Sequence, residues 1–365
     1  MGKASFAAVV QEYNKMIFKE FPVPEIGPDE GILRVELTGV CSTDPNWFQG
    51  KVALRALPII LGHESVGVIE EIGEVAAKRY GVKPGDRVVV ECSIPCTHCW
   101  FCTTGQYHLC DNRRSYGTSV SSEVYPGIWG SYSQYMYIAP GSLIHKVPEN
   151  VSKETAVIVT AVLGNGVRWI NHIGKCQIGE TVLIQGVGSQ GLCGIIAAKE
   201  SGAGCVIATG LSCDQKRMDL AKELGADIII NIEKEDAIEV VKKATDGRMA
   251  DLVLDVTGVP AAIAGLLDLV RKGGRIVQAG TTGTTAVTPM LLNKLTFREI
   301  AFLGTFSHNN LSVAGAMSVA KSGKYPIDKM ATTTVPLKDV LYAFDLTQRK
   351  VPGKDDIKVL LDPWA

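Results

Sequence analysis

The sequence lacks long apolar runs and any excess of charge of one sign. Its 37 Lys and Arg residues nearly balance its 38 Asp and Glu residues, which gives a formal net charge of -1. A near-neutral chain exerts no global attraction on nucleic acid or on an anionic membrane, so neither partner is expected. The apolar stretches, such as residues 301–303, are far shorter than the ~20 residues that span a bilayer.

The first residues also lack the apolar core and cleavage site of a secretion signal, so the protein is expected in the cytoplasm. Ten cysteines are present nevertheless. Because a reducing compartment disfavours a disulfide framework, their spacing indicates metal or catalytic chemistry. With 365 residues, of which 46% are hydrophobic, the chain is globular and long enough for two domains.

The pattern of apolar residues changes along the chain. Residues 1–150 contain short β-rich segments separated by Gly and Pro turns. In residues 151–305, short apolar runs alternate with helical patterns, which predicts βαβ units and a doubly wound parallel sheet. Residues 306–365 are irregular, and their apolar segment 357–361 is expected to rejoin the first domain. The predicted fold class is therefore α/β.

The most specific motif is a cluster of four cysteines within a lobe of about residues 92–115. Four thiolates at this spacing can surround one tetrahedral Zn²⁺ at ~2.3 Å each, with no position left for a substrate. Such a zinc is structural. An iron–sulfur cluster is the alternative, because it also takes four cysteines, and four unrelated thiols are a third interpretation. The cysteines are Cys96, Cys99, Cys102 and Cys110.

A second motif is a G-x-G-x-x-G string that follows the apolar run 181–185 and opens a helical pattern. In this context the glycines permit a tight turn and a close approach to a pyrophosphate at the helix N-terminus. The alternative is a glycine-rich turn without a ligand. The predicted cofactor residues of this loop are Gly186, Gly188, Ser189, Gln190 and Gly191.

The choice between NAD and NADP depends on the next strand. Gly210 stands where an acid usually binds the ribose, and an acid there would repel a 2′-phosphate. Its absence, together with the following Ser212, Lys216 and Arg217, slightly favours NADP. Alternatively, Asp214 curls back to the ribose of NAD, and the two basic residues belong to a solvated helix start. The cofactor is therefore expected to be NAD or NADP.

A third constellation precedes the cysteine lobe. Cys41 and Thr43 lie about twenty residues before the adjacent His63 and Glu64. A thiolate, an imidazole and a carboxylate from separate segments can hold a second metal and leave one coordination position open. Taken singly, a cysteine or a histidine is more often a packed structural residue.

Together, these motifs resemble the zinc-dependent medium-chain alcohol dehydrogenases. The resemblance rests on C-x-[ST]-D at 41–44, G-H-E at 62–64, G-D-x-V at 85–88, the cysteine lobe and the glycine string. It implies a GroES-like, partly β-barrel catalytic domain in 1–150, a Rossmann domain in 151–305 and a C-terminal segment that completes the first. It also implies a homodimer or homotetramer.

The resemblance assigns roles to the third constellation. Cys41 and His63 correspond to catalytic zinc ligands, and Thr43 to the residue that hydrogen-bonds the zinc-bound alcohol and starts its deprotonation. Asp44 corresponds to the acid that orients the ligating histidine. Glu64 corresponds to the acid beside that histidine, which approaches or binds the metal in some members.

Two positions depart from the family pattern. A third protein ligand is usual some two dozen residues before Gly186, but Thr160, Ala161 and Val162 occupy that place, and none is a good zinc ligand. Glu64 is the favoured replacement; weak zinc binding or loss of the metal are the alternatives. Asn46 stands where many members have a histidine that passes the proton to solvent.

The sequence therefore predicts a zinc-dependent, NAD(P)-linked oxidoreductase that interconverts an alcohol and its ketone or aldehyde. A secondary or an apolar, aromatic alcohol is expected, because four aromatic residues lie on segments that can line the predicted cleft. For any one of them, packing in the core or on the surface is the favoured alternative. The alternatives are a zinc-free reductase of an activated alkene and a nucleotide-binding zinc protein without turnover. The four aromatic residues are Trp47, Phe48, Tyr116 and Trp129.

Overall fold

The structure is a computed structural model that describes residues 2–283 and 285–365. The chain divides into two units, which we call unit 1 and unit 2. Unit 1 comprises Met1–Ala161, Asn309–Gly323 and Ile327–Ala365, and unit 2 comprises Val162–His308 and Lys324–Pro326. Among the described residues, no helix is both long and apolar enough to cross a membrane.

Eighteen strands are present in the described residues. They are β1 (Ala4–Glu12), β2 (Lys15–Pro22), β3 (Gly31–Gly39), β4 (Ile59–Ile60), β5 (Ser65–Ile72), β6 (Arg87–Val90), β7 (Ser93–Ile94), β8 (Arg114–Ser115), β9 (Tyr135–Ile138), β10 (Ile144–Lys146), β11 (Thr181–Gln185), β12 (Cys205–Gly210), β13 (Ile228–Asn231), β14 (Ala250–Asp255), β15 (Val270–Gln278), β16 (Ala301–Gly304), β17 (Ala331–Pro336) and β18 (Lys358–Asp362).

Twelve α-helices connect these strands in the same part of the chain. They are α1 (Thr43–Phe48), α2 (Glu74–Tyr80), α3 (Trp100–Thr103), α4 (Lys153–Ile158), α5 (Gly164–Val167), α6 (Ser189–Glu200), α7 (Gln215–Glu223), α8 (Ala237–Ala244), α9 (Pro260–Leu269), α10 (Leu292–Arg298), α11 (Asn310–Ser322) and α12 (Val340–Thr347).

Unit 1 is built from mainly antiparallel sheets, although β17 and β18 of the larger sheet run parallel. The larger sheet has the order β10-β6-β5-β3-β18-β17, with β9 also paired to β3, and a smaller sheet has the order β2-β1-β4. The late strand β18 pairs with β3 through Leu360 and Gly39. Helix α4 packs on β3 and β5, so unit 1 extends past the expected domain boundary at residue 150. The larger sheet thus combines strands from both ends of the sequence.

Unit 2 contains one six-stranded parallel sheet with the order β13-β12-β11-β14-β15-β16. The central strands β11 and β14 are buried along their whole length, as expected for parallel strands covered by helices on both faces. The register pairs Gln185 with Thr209, so Gly186 and Gly210 follow neighbouring strands at the same edge. The predicted α/β class with a doubly wound parallel sheet is confirmed.

Two wide helical turns interrupt the segment between α4 and β11. They are π-helical and span Val159–Leu163 and Arg168–Ile173. A π turn replaces i→i+4 hydrogen bonds by i→i+5 bonds and is frequent at functional sites. The first of them contains the three residues at which the family pattern places a zinc ligand.

Candidate functional site

The four cysteines of the lobe converge on one point. Their sulfur atoms all lie within 4.8 Å of one another, and the Sγ atoms of Cys96 and Cys102 are 3.9 Å apart. A tetrahedron with zinc–sulfur bonds of ~2.3 Å has sulfur atoms about 3.8 Å apart, so the cluster fits one zinc ion. Backbone N–H groups lower the pKa values of Cys96 and Cys99, whereas burial raises those of Cys102 and Cys110.

The third constellation also assembles, from two segments of unit 1. Cys41 follows β3, whereas His63 and Glu64 lie between β4 and β5. The sulfur, one ring nitrogen and one carboxylate oxygen of these residues lie within 4.8 Å of one another. Cys41 and His63 are partly buried, and Glu64 is 1% exposed. Soft, borderline and hard donors at this spacing suit Zn²⁺. We call these three residues the Cys41 cluster.

Asp44 orients the histidine of this cluster. It lies on α1, is fully buried, and its Oδ1 is 3.5 Å from Nδ1 of His63. Its Oδ2 accepts hydrogen bonds from the Cys41 N–H at 2.9 Å and from the Tyr132 hydroxyl at 2.7 Å. Burial raises the pKa of Asp44, and His63 and Tyr132 oppose that shift. With Nδ1 facing Asp44, Nε2 of His63 is the nitrogen left for a metal.

Glu64 has a cationic partner that the sequence analysis did not identify. Its Oε2 forms a buried ion pair with Nζ of Lys358 on β18, and Nζ also donates to the Val40 carbonyl at 3.1 Å. A Cβ on Gly39 would collide with this carboxylate, so the close approach requires glycine. The Oε1 atom of Glu64 is buried and has no hydrogen-bond partner among the described residues. One carboxylate oxygen can therefore face a cation while the other faces Lys358.

Burial alone would lower the pKa of Lys358, but Glu64 and Cys41 outweigh burial and raise it. The ammonium group therefore stays charged beside the cluster. A signal for Lys358 was present in the sequence, since it is the single charged residue of the apolar segment 357–361. No comparable signal marks Tyr132, because nothing in its local sequence indicates a contact with Asp44.

The remaining predicted residues of this region have simpler surroundings. The Thr43 hydroxyl donates to Cys41 Sγ at 3.1 Å, so it lies beside the proposed ligand. Asn46 donates to the Ser42 carbonyl within α1. The hydroxyl of Thr160 is buried and has no hydrogen-bond partner in the described part of the chain. Ala161 and Val162 are buried apolar residues of the first π turn.

Three of the four predicted cleft aromatics are core residues of unit 1. Phe48, Tyr116 and Trp129 are at most 9% exposed and belong to one hydrophobic cluster. Tyr116 stacks on Trp129 with ring centroids 6.3 Å apart, so packing accounts for both. Trp47 differs, because its ring lies edge-on to His63 with centroids 5.6 Å apart.

In unit 2, the glycine loop has the geometry that dinucleotide binding requires. Gly186 follows β11 with a φ of 105°, and Gly188 caps the N-terminus of α6. A Cβ on Gly191 would collide with the Gly186 carbonyl. The predicted residues Ser189 and Gln190 form the first turn of α6, whose N–H groups and dipole attract a phosphate. The loop therefore fits a pyrophosphate.

The predicted residues after β12 have different environments. The exposed Ser212 exchanges hydrogen bonds with Asn231, and Lys216 is exposed. Arg217 is 8% exposed, and its Nη1 lies 3.9 Å from the place a Cβ would take on Gly188. Arg217 thus lies against the glycine loop. Gly210 packs so closely on Val187 that a Cβ would come within 2.9 Å of that side chain.

Comparison with known proteins gives concordant matches. Residues 27–149 match the alcohol dehydrogenase GroES-like domain, and residues 190–322 match the zinc-binding dehydrogenase family. A probable alcohol dehydrogenase of Mycobacterium tuberculosis is 35% identical over 338 residues, covering 91% of each chain. D-arabitol-phosphate dehydrogenase of Enterococcus avium is 34% identical over 351 residues, covering 96% of this chain and 94% of the relative.

The structural comparison agrees with these relatives. An alcohol dehydrogenase from Thermotoga maritima matches with a TM-score of 0.91 and 28% identity, covering 99% of this chain and 100% of the other. Identity above 30% across more than nine tenths of the chain establishes the family. The chain belongs to the zinc-dependent medium-chain alcohol dehydrogenases, and it is an NAD(P)-linked oxidoreductase that acts on CH–OH groups.

Proposed function

We propose that the Cys41 cluster holds a catalytic zinc at which a secondary alcohol and its ketone are interconverted. The observation that carries this proposal is the convergence of Cys41, His63 and Glu64 within 4.8 Å of one another in a buried part of unit 1. The substrate class is supported by relatives named D-arabitol-phosphate dehydrogenase, erythritol/L-threitol dehydrogenase and sorbitol dehydrogenase. All three names denote polyols, which contain secondary hydroxyl groups.

The ligand set that we propose is Cys41 Sγ, His63 Nε2 and Glu64 Oε1. Bound zinc supplies a Lewis acid that polarises the substrate oxygen, and bound nicotinamide exchanges hydride with the substrate carbon. Asp44 holds the imidazole in place through Nδ1. Lys358 balances the charge of the Glu64 oxygen that faces away from the metal. Because the charges of Glu64 and Lys358 cancel, the net charge of the three ligands and Lys358 is that of the Cys41 thiolate.

The protein groups near the substrate oxygen have distinct tasks. Thr43 places a hydroxyl beside Cys41, where it can accept a hydrogen bond from the substrate alcohol and pass on its proton. Asn46 has no titratable group, so water or another group would have to carry the proton to solvent. Trp47 covers one edge of His63 and supplies apolar surface for the carbon chain of the substrate.

We assign catalysis to unit 1, structural zinc to its lobe, and dinucleotide binding to unit 2.

The homo-oligomer that the sequence predicts is supported by unit 2, where strand β16 is at the edge of the sheet. Apolar side chains that precede this strand in the sequence are at least 66% exposed, which is typical of a surface that pairs with another copy. These side chains are Val287, Leu291, Leu292 and Phe297. We place the protein in the cytoplasm, where its ten cysteines, none of which forms a disulfide among the described residues, stay reduced.

The zinc content of the purified protein tests the proposal, with Cys41→Ala as the variant and Cys205→Ser as the matched control. We expect two zinc ions per chain in the wild type and the control, and one in Cys41→Ala. Turnover of a polyol should fall more than about 100-fold in Cys41→Ala, because even changes outside the ligand set cost 10–100-fold. One zinc in all three proteins would overturn the catalytic site.

A further inference from the structure

Two backbone N–H groups follow β12, and a carboxylate covers each of them. The Leu211 N–H donates to Asp214 Oδ2 at 2.9 Å, and the Ser212 N–H donates to Glu233 Oε2 at 2.7 Å. Asp214 is 8% exposed, whereas Glu233 approaches from the segment after β13 and is exposed. In a Rossmann fold, the end of this strand is where the ribose of the adenosine binds.

Leu211 and Asp214 border a cavity of about 620 Å³ at the carboxyl ends of the parallel strands, whereas Ser212 and Glu233 directly follow the lining residues Leu211 and Ile232 in sequence and lie outside the lining. Gly186, Gly210, Leu211 and Asp214 line it, so it runs from the glycine loop to the residue whose N–H Asp214 covers. The described residues that line it include acidic side chains and no basic one. A cavity of this size accommodates a nucleoside. The charged side chains that line the cavity are therefore all negative.

Neither Arg217 nor Lys216, the basic residues of this region, lines the cavity. The Nε of Arg217 is 3.9 Å from Asp214 Oδ1, and the guanidinium lies against Gly188 of the glycine loop. Lys216 is exposed on α7 and does not line the cavity. Hydrogen bonds from the Ser212 hydroxyl and N–H lower the pKa of Glu233, so this carboxylate is charged at neutral pH.

We propose that Asp214 and Glu233 make the site selective for NAD over NADP. Asp214 takes the place of the missing acid at Gly210 and accepts a hydrogen bond from the free 2′-hydroxyl of the ribose. Glu233 occupies the Ser212 N–H that a 2′-phosphate would otherwise use. The inference rests on the proposed dinucleotide site in unit 2, and it reverses the slight preference for NADP that the sequence indicates.

The charges explain why the two carboxylates act in the same direction. A 2′-phosphate carries about −1.5 to −2 charges at pH 7. At a separation of about 5 Å, one carboxylate repels such a group by an amount that corresponds to about tenfold in affinity even in water-like surroundings. A neutral 2′-hydroxyl is instead a hydrogen-bond donor to a carboxylate. In NADP, the 2′-phosphate therefore replaces the hydrogen bond from the 2′-hydroxyl of NAD to the carboxylate by an electrostatic repulsion.

Isothermal titration of the zinc-loaded, full-length protein with NAD⁺ and NADP⁺ tests this inference. The variants are Glu233→Gln and Asp214→Asn, and the control is Glu239→Gln, an exposed acid on α8 outside the cavity lining. We expect the wild type and Glu239→Gln to bind NAD⁺ at least about tenfold more tightly than NADP⁺. Glu233→Gln should strengthen NADP⁺ binding about tenfold and leave NAD⁺ binding unchanged. Asp214→Asn should weaken NAD⁺ binding.

The possible failures point to different causes. Equal binding of both dinucleotides, or tighter binding of NADP⁺, would overturn the selectivity while the dinucleotide site stands. Equal changes in NADP⁺ binding in Glu233→Gln and Glu239→Gln would also overturn the selectivity, because a general effect of the net charge would then explain the change. Absence of binding by either dinucleotide would instead contradict the proposed function itself. Because Glu233 is exposed, Glu233→Gln is expected to fold, and its circular dichroism spectrum checks this directly.

Discussion

The lobe cysteines and the Cys41 cluster both lie in unit 1, yet they draw their ligands from different lengths of chain. All four lobe thiols come from residues 96–110, around the short helix α3. The Cys41 cluster combines two separate segments, and the lysine that pairs with Glu64 lies 318 residues after the carbonyl it also contacts. One site is local, whereas the other depends on the completed sheet.

Their surroundings differ in the same way. Three of the four lobe cysteines are partly exposed, and their segment contains little regular structure apart from α3 and a short 3₁₀ turn. In the Cys41 cluster, Glu64 is buried and Cys41 and His63 are partly buried, and the residues are held by Asp44, Tyr132 and Lys358 through contacts to protein atoms. We therefore expect the lobe to depend on its metal for its fold, and the Cys41 cluster to keep its arrangement through the fold.

Cys99→Ser should produce the largest loss of stability. Loss of the lobe zinc removes the cross-link that orders residues 96–110, and the free energy of unfolding should fall by about 4–5 kcal/mol. Urea denaturation measures the loss, and metal analysis should show one zinc fewer per chain. Cys41→Ala is the comparison and should lose one zinc with a much smaller change in stability. An equal loss in both variants would remove the contrast between the two sites.

Lys358→Met should have the second largest effect, because it leaves a buried carboxylate without its partner. Breaking a buried ion pair in this way costs about 3–5 kcal/mol. Lys358→Arg is the control, since it keeps the charge and should lose much less. A zinc ion on Glu64 would compensate part of the cost.

The same substitution therefore tests Glu64 as a ligand. Lys358→Met should cost more in the Cys41→Ala background, which lacks the catalytic zinc, than in the wild type, as a double-mutant cycle in urea would measure. Equal costs in both backgrounds would show that Glu64 does not share its charge with the metal.

Tyr132→Phe should have the smallest effect of the three. It removes a hydrogen bond to the buried Asp44 carboxylate, which is worth about 1.5–3 kcal/mol when the acceptor is charged. Tyr116→Phe is a matched control, because Tyr116 is also buried and its hydroxyl bonds Ser142 and the Ala139 N–H. Only Tyr132→Phe should also weaken zinc binding at Cys41, as competition with a chelator would show. Equal zinc affinity in the two variants would argue that Tyr132 has no role beyond packing.

The fold and the local sites were predictable from short-range patterns. The strand before the glycine loop was expected at 181–185 and is β11 at Thr181–Gln185, because a buried parallel strand is a continuous apolar run. The lobe cysteines lie within one turn-rich segment, so their spacing alone fixes the cluster. In both cases the determining residues are neighbours in sequence.

Contacts across the fold were not predictable in this way. The pairing of Lys358 with Glu64 depends on β18 joining β3, and the hydroxyl of Tyr132 reaches Asp44 from 88 residues away. The two π turns widen the helix between α4 and β11, so counting residues back from Gly186 does not fix which side chain faces the cluster. The position of Arg217 at the glycine loop likewise required the packing of α7 on β12.

The late position of β18 sets an order of events during synthesis of the chain. At about 5–20 residues per second, the ribosome completes Lys358 between about 15 and 60 s after Val40, which lies 318 residues earlier. The lobe thiols emerge together and can capture zinc during this interval. The Glu64 carboxylate, in contrast, has no Lys358 to pair with until β18 has been synthesised. Metal loading of the structural lobe can thus precede completion of the catalytic centre.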